Sequence, residues 1–122
     1  MILVDTSVWI AHFRTAGSNL THSLGEGRVM VHPFVVGELA CGNLKNRDRI
    51  LSDLKALPTA VTATHEEVLR LVKDRQLWGM GIGWIDAYLL ASALLSEAEL
   101  WTLDERLRRA AVAARVKRYT PG

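Results

Sequence analysis

Four acidic residues of this chain stand beside strongly apolar segments: Asp5, Glu38, Asp86 and Asp104. A buried carboxylate is unfavourable unless it is paired, hydrogen-bonded or bound to a metal ion. Four carboxylates that converge repel one another, and divalent cations are the simplest means of neutralising them. The residue types and their surroundings therefore predict a metal site with oxygen ligands.

Each acid also has an ordinary structural explanation. Asp5 and Asp104 are of a type that caps helices, and Asp86 near a helix start would favour the helix dipole. Glu38 is harder to explain in this way, because it lies within a helix among apolar neighbours and its face should be largely apolar. Taken together, the four acids favour a shared metal site over four unrelated structural roles.

Other catalytic chemistries receive less support from the sequence. The four histidines lack the mutual spacing and the cysteine neighbours of a zinc site, and we expect most of them at the surface or in loops. The glycines of 79–83 follow a helix rather than a strand, unlike those of a dinucleotide-binding loop. Ser7 has no adjacent histidine base for nucleophilic attack. Its hydroxyl, two residues from Asp5, is better suited to orienting a metal-bound water.

Tryptophan rings can stack on the bases of single-stranded nucleic acids. Trp9 and Trp101 lie in apolar runs, and we expect both to pack in the core. Trp84 lies two residues before Asp86. It is therefore the tryptophan with the best position for a role at the site.

Short β-like runs alternate with helical stretches, the pattern of a parallel sheet with crossover helices, so we predict an α/β fold. Thr64 and Glu67 predict a capping box. The predicted strands are 2–5, 29–31, 60–62, 99–103 and 116–119. The predicted helices are 6–13, 18–26, 33–42, 46–56, 64–77, 84–97 and 104–114.

This arrangement brings the acids to one end of the molecule. Asp5 and Asp104 fall at or just beyond the carboxyl ends of two strands, where open α/β sheets place their ligand crevice. Glu38 and Asp86 lie on helices that follow or flank those strands. All four carboxylates can therefore point to the same edge of the sheet.

Length and composition indicate one globular domain over residues 1–122, with a hydrophobic fraction of 49%. No apolar run is long enough to span a bilayer. The start of the chain lacks a basic leader, so we expect a cytoplasmic protein. Cys41, the one cysteine, follows apolar residues and is expected to be a packed core thiol.

The formal net charge of +2 conceals a more basic surface. If the four acids are sequestered around metal, nine acidic residues remain against fifteen Lys and Arg, a balance of +6. Such a surface favours a polyanionic partner. The basic residues cluster at 45–49 and 106–118, where solvated helix faces are the alternative explanation.

Four blocks of the sequence together resemble the PIN-domain ribonucleases, and more narrowly the VapC toxins of toxin–antitoxin pairs. Each block is short, but their order and spacing extend over essentially the whole chain. The resemblance implies an α/β/α sandwich with a mostly parallel central sheet. The blocks are Val-Asp-Thr-Ser-Val-Trp-Ile at 4–10, Val-Gly-Glu-Leu at 36–39, Ile-Asp-Ala-Tyr-Leu-Leu-Ala at 85–91 and Thr-Leu-Asp at 102–104.

The same resemblance implies a function. The four acids become catalytic ligands of Mg²⁺ or Mn²⁺, with Ser7 or Thr6 as a polar assistant. The substrate is RNA, cleaved to leave a 5′ phosphate and a 3′ hydroxyl, and the partners are a second copy and a small antitoxin whose tail occludes the site. Arg106, Arg108 and Arg109 closely follow the last acid, and we expect them to grip flanking RNA phosphates.

One predicted helix carries more apolar side chains than a single buried face requires: Leu69, Leu71, Val72 and Leu77. An exposed apolar patch of this kind is typical of protein contacts. We therefore expect a dimer or antitoxin contact along this helix.

Three alternative function classes share some of these features. A signalling receiver domain also clusters acids at strand ends, but it needs a phosphoacceptor aspartate after its third strand, where 61–64 has none. A haloacid-type phosphatase carries a second aspartate two residues after the first, where this chain has Ser7. A catalytically silent PIN-like module that binds RNA or an antitoxin would keep the fold, although four intact acids argue against it.

Overall fold

Three parallel strands form the centre of the structure, a computed structural model that describes residues 1–15 and 18–121. The spatial order is β2-β1-β3, so the first strand is flanked on both sides. Ile2 pairs with Val29 on one side, and Val4 pairs with Trp101 on the other. The strands are β1 (Ile2–Val4), β2 (Val29–Met30) and β3 (Glu99–Trp101).

Two isolated parallel bridges widen this sheet, Val31 with Thr59 and Leu100 with Arg118. The predicted strands at 60–62 and 116–119 are therefore wrong as strands, because the first bridge lies at Thr59, just before 60–62, and 116–119 contributes only Arg118.

Seven helices complete the described residues, close to their predicted positions. Thr64 and Glu67 form the predicted capping box, and a proline occupies the first turn of the third helix as expected. The fifth helix ends at residue 74 rather than 77. The helices are α1 (Thr6–Arg14), α2 (Asn19–Gly25), α3 (Pro33–Cys41), α4 (Arg47–Lys55), α5 (His65–Asp74), α6 (Trp84–Leu95) and α7 (Glu105–Ala114).

The most extensive helix–helix contacts fall in two groups, α1 to α4 and α5 to α7, and Phe34 at the start of α3 contacts Tyr88 of α6 between them. Right-handed crossovers account for this division. The chain first moves outward from β1 through β2 to the bridge at Thr59, and then returns across the sheet to β3 and the bridge at Arg118. The reversal places the two groups on opposite faces, which confirms the predicted α/β architecture.

The core lies between the sheet and the helices. The residues of β1 are completely buried, and Leu89 and Leu90 of α6 are equally inaccessible. Trp9 and Trp101 are buried, as predicted. Leu77 is also buried, so it cannot contribute to the partner surface predicted for its segment.

A prediction about burial is wrong: Cys41, predicted to be a core thiol, is exposed at the end of α3. The expectation for most histidines holds, since the other three are exposed or partly exposed, but His32 is completely buried at the N-cap of α3. Its Nδ1 accepts a hydrogen bond from the Phe34 N–H at 3.0 Å, so its Nε2 carries the proton and donates to Ser92 Oγ at 3.1 Å. Burial lowers the pKa of His32.

The carboxyl edge of the sheet is where the candidate residues gather. β2 and β3 lie on opposite sides of β1, so the chain reverses direction there and leaves a crevice between β1 and β3. Asp5 follows β1, and Asp104 follows β3 by three residues. No helix in the described part of the structure is both long and apolar enough to cross a bilayer.

Candidate active site

Asp5 is held by two hydroxyl groups from opposite ends of the chain. Its side chain is 6% exposed and stands at the N-cap position of α1 without capping the helix. Its Oδ2 instead accepts hydrogen bonds from Ser7 Oγ and Thr102 Oγ1, both at 2.7 Å. The ordinary capping explanation for Asp5 is therefore wrong, and the carboxylate is aimed by these two hydroxyls.

The same hydroxyls fix the loop after β3. The Leu103 N–H donates to Ser7 Oγ, and the Asp104 N–H donates to Thr102 Oγ1, both at 3.0 Å. Each hydroxyl thus links the Asp5 carboxylate to a backbone group beside Asp104. Folding around Asp5 consequently places the fourth acid at the mouth of the crevice.

Asp104 does cap a helix, as its ordinary explanation proposed. Its Oδ1 accepts from the N–H groups of Arg106 at 2.9 Å and Leu107 at 3.4 Å, at the start of α7. These two hydrogen bonds use one carboxylate oxygen and fix the orientation of the Asp104 side chain. Within the described residues, Oδ2 makes no hydrogen bond and remains available to a ligand.

Glu38 reaches the site from an exposed position, not from the largely apolar face that was predicted. The outward side of α3 carries Glu38, whereas Val35 and Leu39 occupy the buried side. Thr6 Oγ1 donates to Glu38 Oε1 at 2.8 Å across the gap between α1 and α3. Thr6 and Ser7, the candidate polar assistants, therefore each hold a different acid.

Asp86 shows that the four charges share one crevice. It lies in the first turn of α6, where its Oδ2 accepts from the Gly83 N–H at 3.0 Å. Burial raises the pKa of Asp86, and the charges of Asp5, Asp104 and Glu38 raise it further against the opposing effect of the Gly83 bond. Asp86 is therefore close enough to the other three carboxylates for their negative charges to act on it.

The donor set fits a hard divalent cation. Each acid binds the protein through one oxygen, Oδ2 of Asp5 and Asp86, Oδ1 of Asp104 and Oε1 of Glu38. The other four oxygens have no partner in the described part of the chain, and Mg²⁺ and Mn²⁺ prefer such ligands. Even so, no three acidic, histidine or cysteine side chains there stand close enough to form a ready metal cage.

The three arginines after Asp104 do not act alike. Arg108 folds back, donating from Nε to the Thr102 carbonyl at 3.1 Å and from Nη1 to Glu105 at 3.1 Å. Arg106 extends along the glycine loop, and a Cβ added at Gly81 would lie 2.9 Å from its Cδ. Arg109 is exposed on α7. Arg108 therefore stabilises the loop after β3, whereas Arg106 borders the site beside Gly81.

Comparison with known proteins agrees with this geometry. A family model described as the PIN domain matches residues 2–113. The chain belongs to the PIN-domain family. This PIN domain is also 52% identical over 111 residues to a protein named Ribonuclease VapC32 from Mycobacterium tuberculosis, and the match covers 90% of each chain. The resemblance drawn from the four sequence blocks is confirmed.

Solved structures support the same fold. A toxin–antitoxin complex from Klebsiella pneumoniae contains a chain that superposes with a TM-score of 0.73 at 19% identity, covering 100% of this PIN domain and 98% of that chain. FitAcB from Neisseria gonorrhoeae matches with a TM-score of 0.67 at 18% identity, covering 99% and 98% of the two chains. At this level of identity the likeness is one of fold.

Sequence reasoning missed one residue of the site. Thr102 lies inside the fourth sequence block but received no role, although its hydroxyl is one of two donors to Asp5. The sequence signal was a polar residue that ends an apolar strand two positions before an acid, and the structure shows that this residue is buried. Such a residue needs a hydrogen-bond partner, and Asp5 is the nearest charged candidate across the sheet.

Proposed function

We propose that this PIN domain is a metal-dependent endoribonuclease acting as the toxin of a toxin–antitoxin pair, with residues 1–122 forming one nuclease domain in the cytoplasm. One observation carries the proposal: the carboxylates of Asp5, Glu38, Asp86 and Asp104 gather at the carboxyl edge of the sheet, where hydroxyl and N–H groups hold each of them through one oxygen. Membership of the PIN family and the ribonuclease named among its relatives support the same activity.

Asp5, Glu38, Asp86 and Asp104 would hold Mg²⁺ or Mn²⁺. When bound, the cation supplies Lewis acidity toward the scissile phosphate and toward the attacking water. The chain's own part is to hold the carboxylates: Ser7 and the threonine at the end of β3 fix Asp5, and a helix cap fixes Asp104. Since the pKa of Asp86 is raised without a cation, cation binding and loss of the Asp86 proton should favour each other.

The reaction is hydrolysis of a phosphodiester. Water attacks phosphorus in line with the departing 3′ oxygen, the P–O3′ bond breaks, and the products carry a 5′ phosphate and a 3′ hydroxyl. Arg106 and Arg109 are the cations we assign to flanking phosphates, because Arg108 already binds Thr102 and Glu105. No histidine base is needed in this scheme, because the cation would lower the pKa of the attacking water.

A second copy of the chain fits the surface between α5 and α6. A groove of about 250 Å³ lies there, with exposed leucines at its edges and charges of both signs around it. A patch with both signs can pair with its own copy across a two-fold axis. The lining residues are Glu67, Arg70, Leu71, Asp74, Ala91, Leu94 and Leu95. Loss of dimer in Leu94→Glu during sedimentation analysis would support this assignment, and an unchanged dimer would remove it.

The antitoxin is assigned to a smaller groove of about 160 Å³ between α1, α2 and α4. Trp9 and Phe13 line it beside Ile50 and Leu54, so its floor is apolar. An antitoxin helix would bury its own apolar side chains against this floor.

The deciding experiment is cleavage of total cellular RNA by purified protein, with and without Mg²⁺ or Mn²⁺, beside Asp5→Asn. Discrete metal-dependent fragments with 5′ phosphates, absent for the variant, are the expected result. A folded protein free of antitoxin that cleaves nothing in either metal would contradict the nuclease assignment. That outcome would favour the catalytically silent RNA- or antitoxin-binding module.

A further inference from the structure

Four aromatic rings form a continuous strip beside the candidate active site. Ring centroids of Phe34 and Tyr88 are 4.8 Å apart, those of Tyr88 and Trp84 are 5.2 Å apart, and those of Trp84 and His65 are 5.1 Å apart. We call these four residues the aromatic strip. Edge-to-face and tilted contacts of this kind hold the rings in fixed orientations.

The strip lies at the same edge of the sheet as the four acids. Phe34, His65 and Trp84 each stand in the first turn of a helix, α3, α5 and α6 respectively. The strands and the Thr59 bridge are parallel, and these helices begin beyond their carboxyl ends. The strip and the acidic crevice therefore open on one side of the molecule.

Two acids lie on the same helices as the strip. Phe34 precedes Glu38 by four residues on α3, which is about one helical turn or ~5.4 Å along the axis. Trp84 precedes Asp86 by two residues on α6. Two rings of the strip and two of the acids therefore lie within the first two turns of the same helices.

The outer rings remain in contact with water despite their mutual packing. Phe34 is 38% exposed and Trp84 is 41% exposed, whereas Tyr88 beneath them is 8% exposed. Tyr88 itself packs in a small cluster with Ala63, Val68 and Ala87. The strip is thus a rigid aromatic surface with a buried floor, and its upper rings are open to a ligand.

We propose that the aromatic strip is a stacking platform for an unpaired RNA base next to the scissile phosphate. This rests on the proposed function, and it specifies single-stranded RNA as the substrate class. Sequence-tolerant stacking on aromatic rings is a common mode of single-strand recognition. It also suits this site electrostatically, because four carboxylates repel the RNA backbone and an uncharged platform attracts bases without adding to that repulsion.

The test measures RNA binding in the Asp5→Asn background, where the strand is expected to stay intact. The probe is a short oligo(A) RNA with one 2-aminopurine, whose fluorescence is quenched when the base stacks. Trp84→Ala should weaken binding by at least about fivefold and restore the fluorescence. Trp84→Phe should stay near the parent because it retains a stacking ring.

Trp78→Ala is the matched control. Trp78 is 63% exposed but belongs to none of the ring contacts of the strip, so its loss should leave binding and quenching unchanged. A duplex made from the same oligonucleotide should bind Trp84→Ala and its parent equally, since its bases are already stacked. Circular dichroism and the unfolding midpoint establish that each variant is folded.

Several results would overturn the platform. Equal RNA binding by Trp84→Ala and Trp78→Ala would do so. A loss of dimer in Trp84→Ala with RNA binding unchanged would also do so, because the strip would then be a contact between protein chains. The nuclease assignment fails separately. If wild-type protein cleaves no RNA in any metal but Trp84→Ala still loses base stacking, the platform stands and the catalytic proposal falls.

Discussion

Replacing Thr102 with valine isolates one interaction of the site. Valine has nearly the shape of threonine but cannot donate the 2.7 Å hydrogen bond to Asp5 Oδ2 or accept the 3.0 Å bond from the Asp104 N–H. Thr102 is buried, so water cannot replace the lost donor easily. The substitution therefore removes two hydrogen bonds while leaving the packing almost intact.

The expected cost follows from the type of each bond. A hydrogen bond to an ionised group is worth about 1.5–3 kcal/mol, and an ordinary one about 1 kcal/mol. Ser7 continues to donate to Asp5, which limits the loss to one of two donors. We expect Thr102→Val to lower the free energy of unfolding by about 2–3 kcal/mol, and to lower cleavage at least about tenfold because Asp5 is no longer aimed.

The assay is urea unfolding in the presence of a chelator, which removes any contribution from bound cation. Thr102→Ser is the matched control, since it keeps the hydroxyl and loses only a methyl group. A double-mutant cycle with Asp5→Asn separates the charged bond from the rest. In the Asp5→Asn background, Thr102→Val should lower the free energy of unfolding by about 1 kcal/mol less than it does in wild type, or by a still smaller amount.

Equal unfolding free energies for Thr102→Val and Thr102→Ser, within about 0.5 kcal/mol, would refute this reasoning. Additivity with Asp5→Asn would refute its second part. In that case Thr102 would contribute through packing or through the Asp104 N–H, and not by holding the Asp5 carboxylate.

Three further predictions concern charge, burial and backbone strain. Asp86→Asn removes a carboxylate whose pKa is raised by burial and by three like charges, so the metal-free variant should unfold at a higher temperature than metal-free wild type. Mg²⁺ should raise the unfolding temperature of wild type more than that of the variant, and calorimetry measures both temperatures. The pKa of buried His32 is lowered, so the unfolded chain binds more protons than the folded chain, and stability should fall as pH drops below about 6.5. Urea unfolding at several pH values should show a smaller loss of stability with falling pH in His32→Asn. Gly81→Ala should lower the free energy of unfolding by about 1 kcal/mol because of its φ of +81°, and it should also displace Arg106. Gly79→Ala, with φ of +75° and open space around its Cβ, should show the backbone strain alone. Weaker RNA binding by Gly81→Ala only would support the role of Arg106, and equal binding by both variants would contradict it.

Local features of the structure could be predicted from local sequence. The capping box of Thr64 and Glu67, the proline at the start of α3 and the glycine loop all depend on residues within a few positions of one another. The extra strands at 60–62 and 116–119 were wrong because a strand depends on a partner elsewhere in the chain. Val31 makes a single bridge to Thr59, just before the first segment, and Leu100 makes a single bridge to Arg118 in the second.

Burial was less predictable than secondary structure. Cys41 and Glu38 lie on an apolar helix, and the sequence alone suggests a buried position for both. α3 packs through Val35 and Leu39, however, so its opposite side is free to carry exposed residues. Which side of an apolar helix meets the core depends on where neighbouring elements lie, and that information is not local.

The amino-acid sequence by itself determined the order of the four acidic blocks, the family to which they belong, and the hypothesis of oxygen ligands for a hard cation. Tertiary structure decided how those four carboxylates are held. Thr102 donates to Asp5 across 97 positions of sequence, Thr6 reaches Glu38 across 32, and the rings of the aromatic strip come from three different helices. Hydrogen bonds and ring contacts act over a few ångströms, so only the parallel sheet, which brings strand ends and helix starts to one edge, could establish them.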